Sequence, residues 1–94
     1  MHQERQYVGI DLHRRRSVIV RMDQDGNKLS CVRLPNDPAE VAVEIAKAGE
    51  SPDVVLEATY GYDWLVDLLQ DMGANVHVAH PSGLKWDAGF ILPP

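Results

Sequence analysis

The run YVGIDL, Tyr7 to Leu12, constrains this chain more than any other stretch. It is apolar almost throughout and lacks polar alternation, the pattern of a strand buried on both faces. Asp11 stands next to its end, and a buried, unpaired carboxylate is costly. The strand must therefore lie centrally, and its C-terminal end must either reach solvent or hold something positive. A second run of the same kind, DVVLEA (Asp53 to Ala58), carries Glu57 near its end. Two such strands suit a parallel arrangement, which needs a long crossover between them.

The residues between and after these runs supply that crossover. SVIVRM (Ser17 to Met22) is β-branched and reads as a second strand. DQDGN (Asp23 to Asn27) contains the Asp-Gly step of a tight hairpin. KLSCVRL (Lys28 to Leu34) alternates as a third strand at an edge, stopped by Pro35. A helix follows, with Asp37 as N-cap, Pro38 at the first helical position, and Glu40 in the first turn. Val41, Ile45 and Ala48 give it one apolar stripe, and Gly49 ends it. After DVVLEA comes a second helix over YDWLVDLLQDMG, its stripe formed by Leu65, Leu68, Leu69 and Met72. NVHVAH (Asn75 to His80) is a fifth strand, closed by Pro81. The expected order is β-β-β-α-β-α-β, an α/β fold with a mixed five-stranded sheet and helices packed on it. The first strand should lie between its hairpin partner and the fourth strand.

The chain has 94 residues, enough for one small domain with a modest core. The reading places that domain over residues 1–85 and an aperiodic tail over 86–94. A net charge of −5 argues against nucleic-acid binding by bulk charge and leaves only local basic patches. Cys31 is the single cysteine, which excludes an internal disulfide and a cysteine-rich zinc site. No run approaches the roughly 18 apolar residues of a membrane span, and the polar N-terminus has no signal-peptide core. The expectation is a cytoplasmic chain without membrane contact.

If the first and fourth strands are parallel neighbours, Asp11 and Glu57 meet at the sheet edge where open α/β sheets bind ligands. Two close carboxylates repel unless they share a proton or a cation. Mg²⁺ suits them, since it takes hard oxygen ligands from one or two carboxylates and completes its shell with phosphate oxygens. Gly9 lies on the same strand face and leaves room for a ligand. Spacing alone nevertheless favours solvated or capping carboxylates. Arg14, Arg15 and Arg16 read as a solvated turn, as such runs usually are, with phosphate contact as the functional alternative. His13 reads as a polar loop residue near Asp11. His77 and His80, three apart on a strand, face opposite sides and read as surface residues. Tyr60, Tyr62 and Trp64 read as core or interface aromatics, and Trp86 with GFIL as a sticky patch.

YVGIDLHRRRSVIV, followed at a distance by VVLEATYGYDWLVDLLQDMGANVHVAHP, resembles the N-terminal domain of the DEDD-type transposases of bacterial insertion sequences. These form the insertion sequence one-ten family, related to DNA invertases and, in fold, to Holliday-junction resolvases. The likeness runs from about Tyr7 to about Lys85 and rests on the GIDLH and LEATYG blocks in that order. It implies an RNase H-like fold and a role in DNA transposition. It also implies Mg²⁺-dependent phosphodiester cleavage or strand transfer, DNA as partner, and possible use of a guide RNA by the complete family. Asp11 matches the first acid of the family's tetrad and Glu57 the second. The last two acids are aspartates on a helix beyond the fifth strand. Here that region holds only Asp87, in KWDAGF, and the family's second domain is not expected in a chain of 94 residues.

The departure implies a truncated, catalytically incomplete form, with Mg²⁺ weak or absent and self-association through an uncovered sheet face. Two other readings compete. One is a non-catalytic remnant or interaction module that keeps the fold. The other is a nucleotide-binding fragment of an actin-like ATPase, disfavoured because LHRRR stands where a glycine-rich phosphate loop belongs.

Overall fold

A computed structural model describes residues 5–57 and 61–79. The elements follow the expected order: β1 (Tyr7–Leu12), β2 (Arg16–Met22), β3 (Lys28–Pro35), α1 (Pro38–Ala46), β4 (Asp53–Glu57), α2 (Asp63–Asp71) and β5 (Asn75–Ala79). The five strands form one sheet in the order β3-β2-β1-β4-β5. β1 is central, as its unalternating sequence requires. It pairs antiparallel with β2 and parallel with β4, while β3 and β5 form the edges.

Local chemistry accounts for the joints. In the β2–β3 turn, Asp23 Oδ1 accepts from the backbone N–H of Asp25 and of Asn27, both at 2.9 Å. Its Oδ2 accepts from the Asn27 amide at 3.1 Å. Gly26 takes φ of +85° there, a conformation that side chains disfavour. Past the turn, Arg21 registers with Ser30 but Met22 with Lys28, so Leu29 is an extra residue in β3. At the start of α1, the Asp37 side chain accepts from the Ala39 N–H, and Pro38 stands at the first helical position.

The core forms on one face of the sheet. Val8 and Ile10 of β1, Ile19 of β2, and Val54 and Leu56 of β4 pack against Val41, Ile45 and Ala48 of the α1 segment and Leu65 and Leu69 of α2. Leu68 and Met72 pack at its margin rather than in its centre. Both helices cover this same face, with α1 toward β3 and α2 toward β5. Chain handedness explains this. The path β1 to β4 to β5 steps across the sheet in one direction, and right-handed crossovers taken in one direction deliver their helices to one side. Among the described residues, the opposite face carries no helix.

A polar cluster closes the core near α1. Glu44 is buried, 6% exposed at its side chain, and pairs with Arg21 Nε at 3.2 Å and Lys47 Nζ at 3.1 Å. The Ser30 hydroxyl donates to it at 3.3 Å. Burial pushes the Glu44 carboxyl up, but hydrogen bonds and charge from Lys47 and Arg21 outweigh it and hold the group below its ordinary 4.5.

Candidate functional site

Alternation sorts the strands into two faces, and the helix-free face carries the charged residues of interest. Asp11 registers with Val18 on β2, and Val18 with Arg33 on β3. On the other side of β1, the last registered pair is Ile10 with Leu56, so the next step sets Asp11 beside Glu57. Glu57 registers in turn with Ala79 on β5. One row therefore crosses the whole sheet, Arg33–Val18–Asp11–Glu57–Ala79, at the C-terminal ends of the three parallel strands. Registered residues on neighbouring strands share a face. Both carboxylates thus lie on the side away from the helices.

Asp11 is exposed, with 54% of its side chain accessible, and Glu57 is half-buried. The Asp11 Oδ2 lies 3.1 Å from Nε2 of His13, so the loop histidine is in direct contact with the acid rather than merely nearby. Hard oxygen donors exposed at the mouth of a sheet suit a divalent cation that takes the rest of its ligands from water or phosphate. Among the described residues, no three His, Cys, Asp or Glu side chains gather closely enough to hold a metal by themselves. An ion between the two carboxylates would have to take its other ligands from elsewhere.

The arginines sit beside it. Arg14, Arg15 and Arg16 are exposed, and with His13, Val18 and Arg33 they line a pocket of about 480 Å³. The turn that presents them is tightly held. His13 N–H donates to the Arg16 carbonyl at 3.0 Å, and Asn36 N–H to the Arg15 carbonyl at 2.9 Å. The Asn36 side-chain amide donates to the carbonyls of His13, at 2.8 Å, and Arg14, at 3.2 Å. Its Oδ1 accepts from the buried Ser17 hydroxyl at 2.6 Å. Neither Asn36 nor Arg33 stood out in the sequence, because both reach the site through strand register and not through spacing.

The remaining sequence candidates separate from this site. His77 lies 3.4 Å from Asp53, whose other oxygen is 3.3 Å from Arg5, at the opposite ends of the parallel strands. Tyr62 and Trp64 pack at the margin of the core. Tyr60, His80, Trp86 and Asp87 lie outside the described residues, as does the 86–94 tail.

A mixed five-stranded sheet in this strand order, with an acid ending β1 and another ending the neighbouring parallel strand, has the architecture of an RNase H-like domain. Compared with protein families, residues 8–88 match the DEDD transposases of the IS110 type, described as a transposase, and the chain belongs to that family. No curated protein matches the chain. Family membership assigns it a role in transposition. Among the described residues, no helix is long and apolar enough to cross a membrane.

Proposed function

We propose that this chain is the acid-pair domain of a transposase, which holds a divalent cation, Mg²⁺ by the chemistry of its donors, between Asp11 and Glu57. DNA phosphates contact Arg14, Arg15 and Arg16. The observation that carries this reading is the strand register that sets Asp11 next to Glu57 on the open face, with the arginine turn alongside. When bound, such an ion polarises a phosphodiester and activates a water or hydroxyl for cleavage or strand transfer. The chain's own residues supply two carboxylates to the ion and guanidinium donors to the backbone. The pair alone gives the ion two carboxylates, so its remaining ligands come from water and phosphate, and the described residues are expected to bind metal and DNA with little turnover. It acts in the cytoplasm, where DNA and Mg²⁺ are both at hand.

The test is Mn²⁺-induced broadening of NMR signals, together with a nuclease assay on duplex and branched DNA. Broadening centred on Asp11 and Glu57, lost in Asp11→Asn and Glu57→Gln, is the expected result. Broadening that ignores both substitutions would overturn the metal site. Cleavage abolished by Asp11→Asn would instead overturn the expectation of little turnover. A guide RNA enters only if an RNA binds more tightly than DNA of the same sequence.

A further inference from the structure

We propose that Arg33 is a phosphate-binding residue. With Arg14, Arg15 and Arg16 it would form an anion pocket that seats the backbone of a DNA strand running across β2 toward the acid pair. The inference rests on the reading of Asp11 and Glu57 given above and adds the path of the strand.

Four observations carry it. Arg33 occupies the same row as Asp11, two strands away, through Val18. At an inter-strand spacing of about 4.8 Å this separates them by roughly 10 Å. The pocket of about 480 Å³ joins Arg33 to all three arginines of the turn, with Val18 as an apolar floor. Among the described residues, none of these four arginines has a carboxylate within ion-pairing distance. That holds in a chain with 14 acidic residues and only nine lysines and arginines, where unpaired cations should be scarce. Finally, His13 both lines the pocket and touches Asp11, so the pocket and the acid pair are continuous.

The arrangement favours a linear polyanion over a small phosphate. The arginines are exposed, three on the β1–β2 turn and Arg33 on β3, and the pocket they line is open to solvent and leads toward Asp11, so they do not enclose a single tetrahedral anion. Each guanidinium can donate two parallel hydrogen bonds to a phosphate. The two carboxylates beside this pocket repel a chain of phosphates at that end unless a cation sits there. The metal and the strand would therefore bind cooperatively, with the arginines fixing direction.

The experiment is fluorescence anisotropy of the full chain with a short labelled DNA oligonucleotide, single-stranded and duplex, over a range of salt. Arg33→Gln is expected to weaken binding about tenfold, and to lower the slope of log affinity against log salt by about 0.7 for a single strand or 0.9 for a duplex. Arg33→Lys should recover much of the slope. Cys31, the only cysteine, is exposed on the same strand face two residues from Arg33, and bound DNA should slow its alkylation. That second readout needs no substitution near the site. DNA binding that ignores Arg33→Gln and leaves Cys31 alkylation unchanged, yet falls on Arg15→Gln, overturns this inference alone. No DNA binding by the unaltered chain, or binding of RNA only, overturns it together with the DNA reading.

Discussion

The side-chain amide of Asn36 donates to the backbone carbonyl of His13 at 2.8 Å, across 23 residues of sequence. This contact ties the end of β3 to the arginine turn. Asn36 also takes the carbonyls of Arg14 and Arg15 and accepts from Ser17, so one residue satisfies most of the turn's inward polar groups. The three arginines are exposed on a fixed backbone, with no ion pair to hold them among the described residues.

Replacing Asn36 should therefore damage binding without removing a charge. Asn36→Ala leaves two carbonyls and the buried Ser17 hydroxyl short of partners, at a cost of about 1–3 kcal/mol. Asn36→Asp turns a donor into an acceptor facing two carbonyls and should cost more. Urea denaturation gives the stability change, and hydrogen exchange at Arg14 to Arg16 reports whether the turn has loosened. Unchanged exchange in Asn36→Ala would show that the turn holds its own shape.

Glu44 sets the acid limit of the fold. Its carboxyl sits below its ordinary 4.5 in the folded state, so the folded protein binds a proton there less readily than the unfolded chain. The stability this adds is fully present above about pH 4.5 and is lost as pH falls through the lower, folded value. Glu44→Gln should flatten the fall in stability below that pH. At neutral pH it should destabilise by about 3–5 kcal/mol, because it leaves Arg21, a largely buried cation, without its carboxylate. Denaturant melts from neutral pH to pH 3, read against the unaltered chain, test both effects.

His13 occupies an oxygen of Asp11 that a metal would use. If it competes with the cation, His13→Ala should raise divalent-ion affinity, by no more than about fivefold for an exposed contact of this kind. If it is a ligand, the same substitution should lower affinity. Mn²⁺ titration of the two forms at one pH decides the sign, and the contact geometry favours competition, since no third ligand closes around the acid pair among the described residues.

Much of this architecture was legible in the sequence. The unalternating runs placed β1 and β4 at the centre of the sheet, and the parallel pairing that follows brings Asp11 to Glu57. Helix boundaries followed from Asp37, Pro38 and the leucine stripe. What stayed hidden depends on register. The position of Arg33 beside the arginine turn follows from two successive antiparallel pairings and from the extra residue at Leu29, which no periodicity reveals. Asn36 looked like an ordinary loop residue because its partners are backbone carbonyls, which leave no mark on sequence. That both helices share one face is a matter of crossover handedness and strand direction, not of composition.

This one-sided cover gives the last prediction. Ile10 faces the helices and is 1% exposed, whereas Val20, registered with Gly9 on β1, lies on the opposite face and is only half-buried. Ile10→Ala should cost about 2–5 kcal/mol, because it opens a cavity beneath α1 and α2. Val20→Ala should cost no more than about 1 kcal/mol, the transfer of part of a small side chain. Denaturant unfolding of the two variants under one set of conditions makes the comparison. Equal losses would mean that the face bearing Asp11, Glu57 and Arg33 is covered in solution, and a DNA strand would then have to displace that cover to reach the arginines.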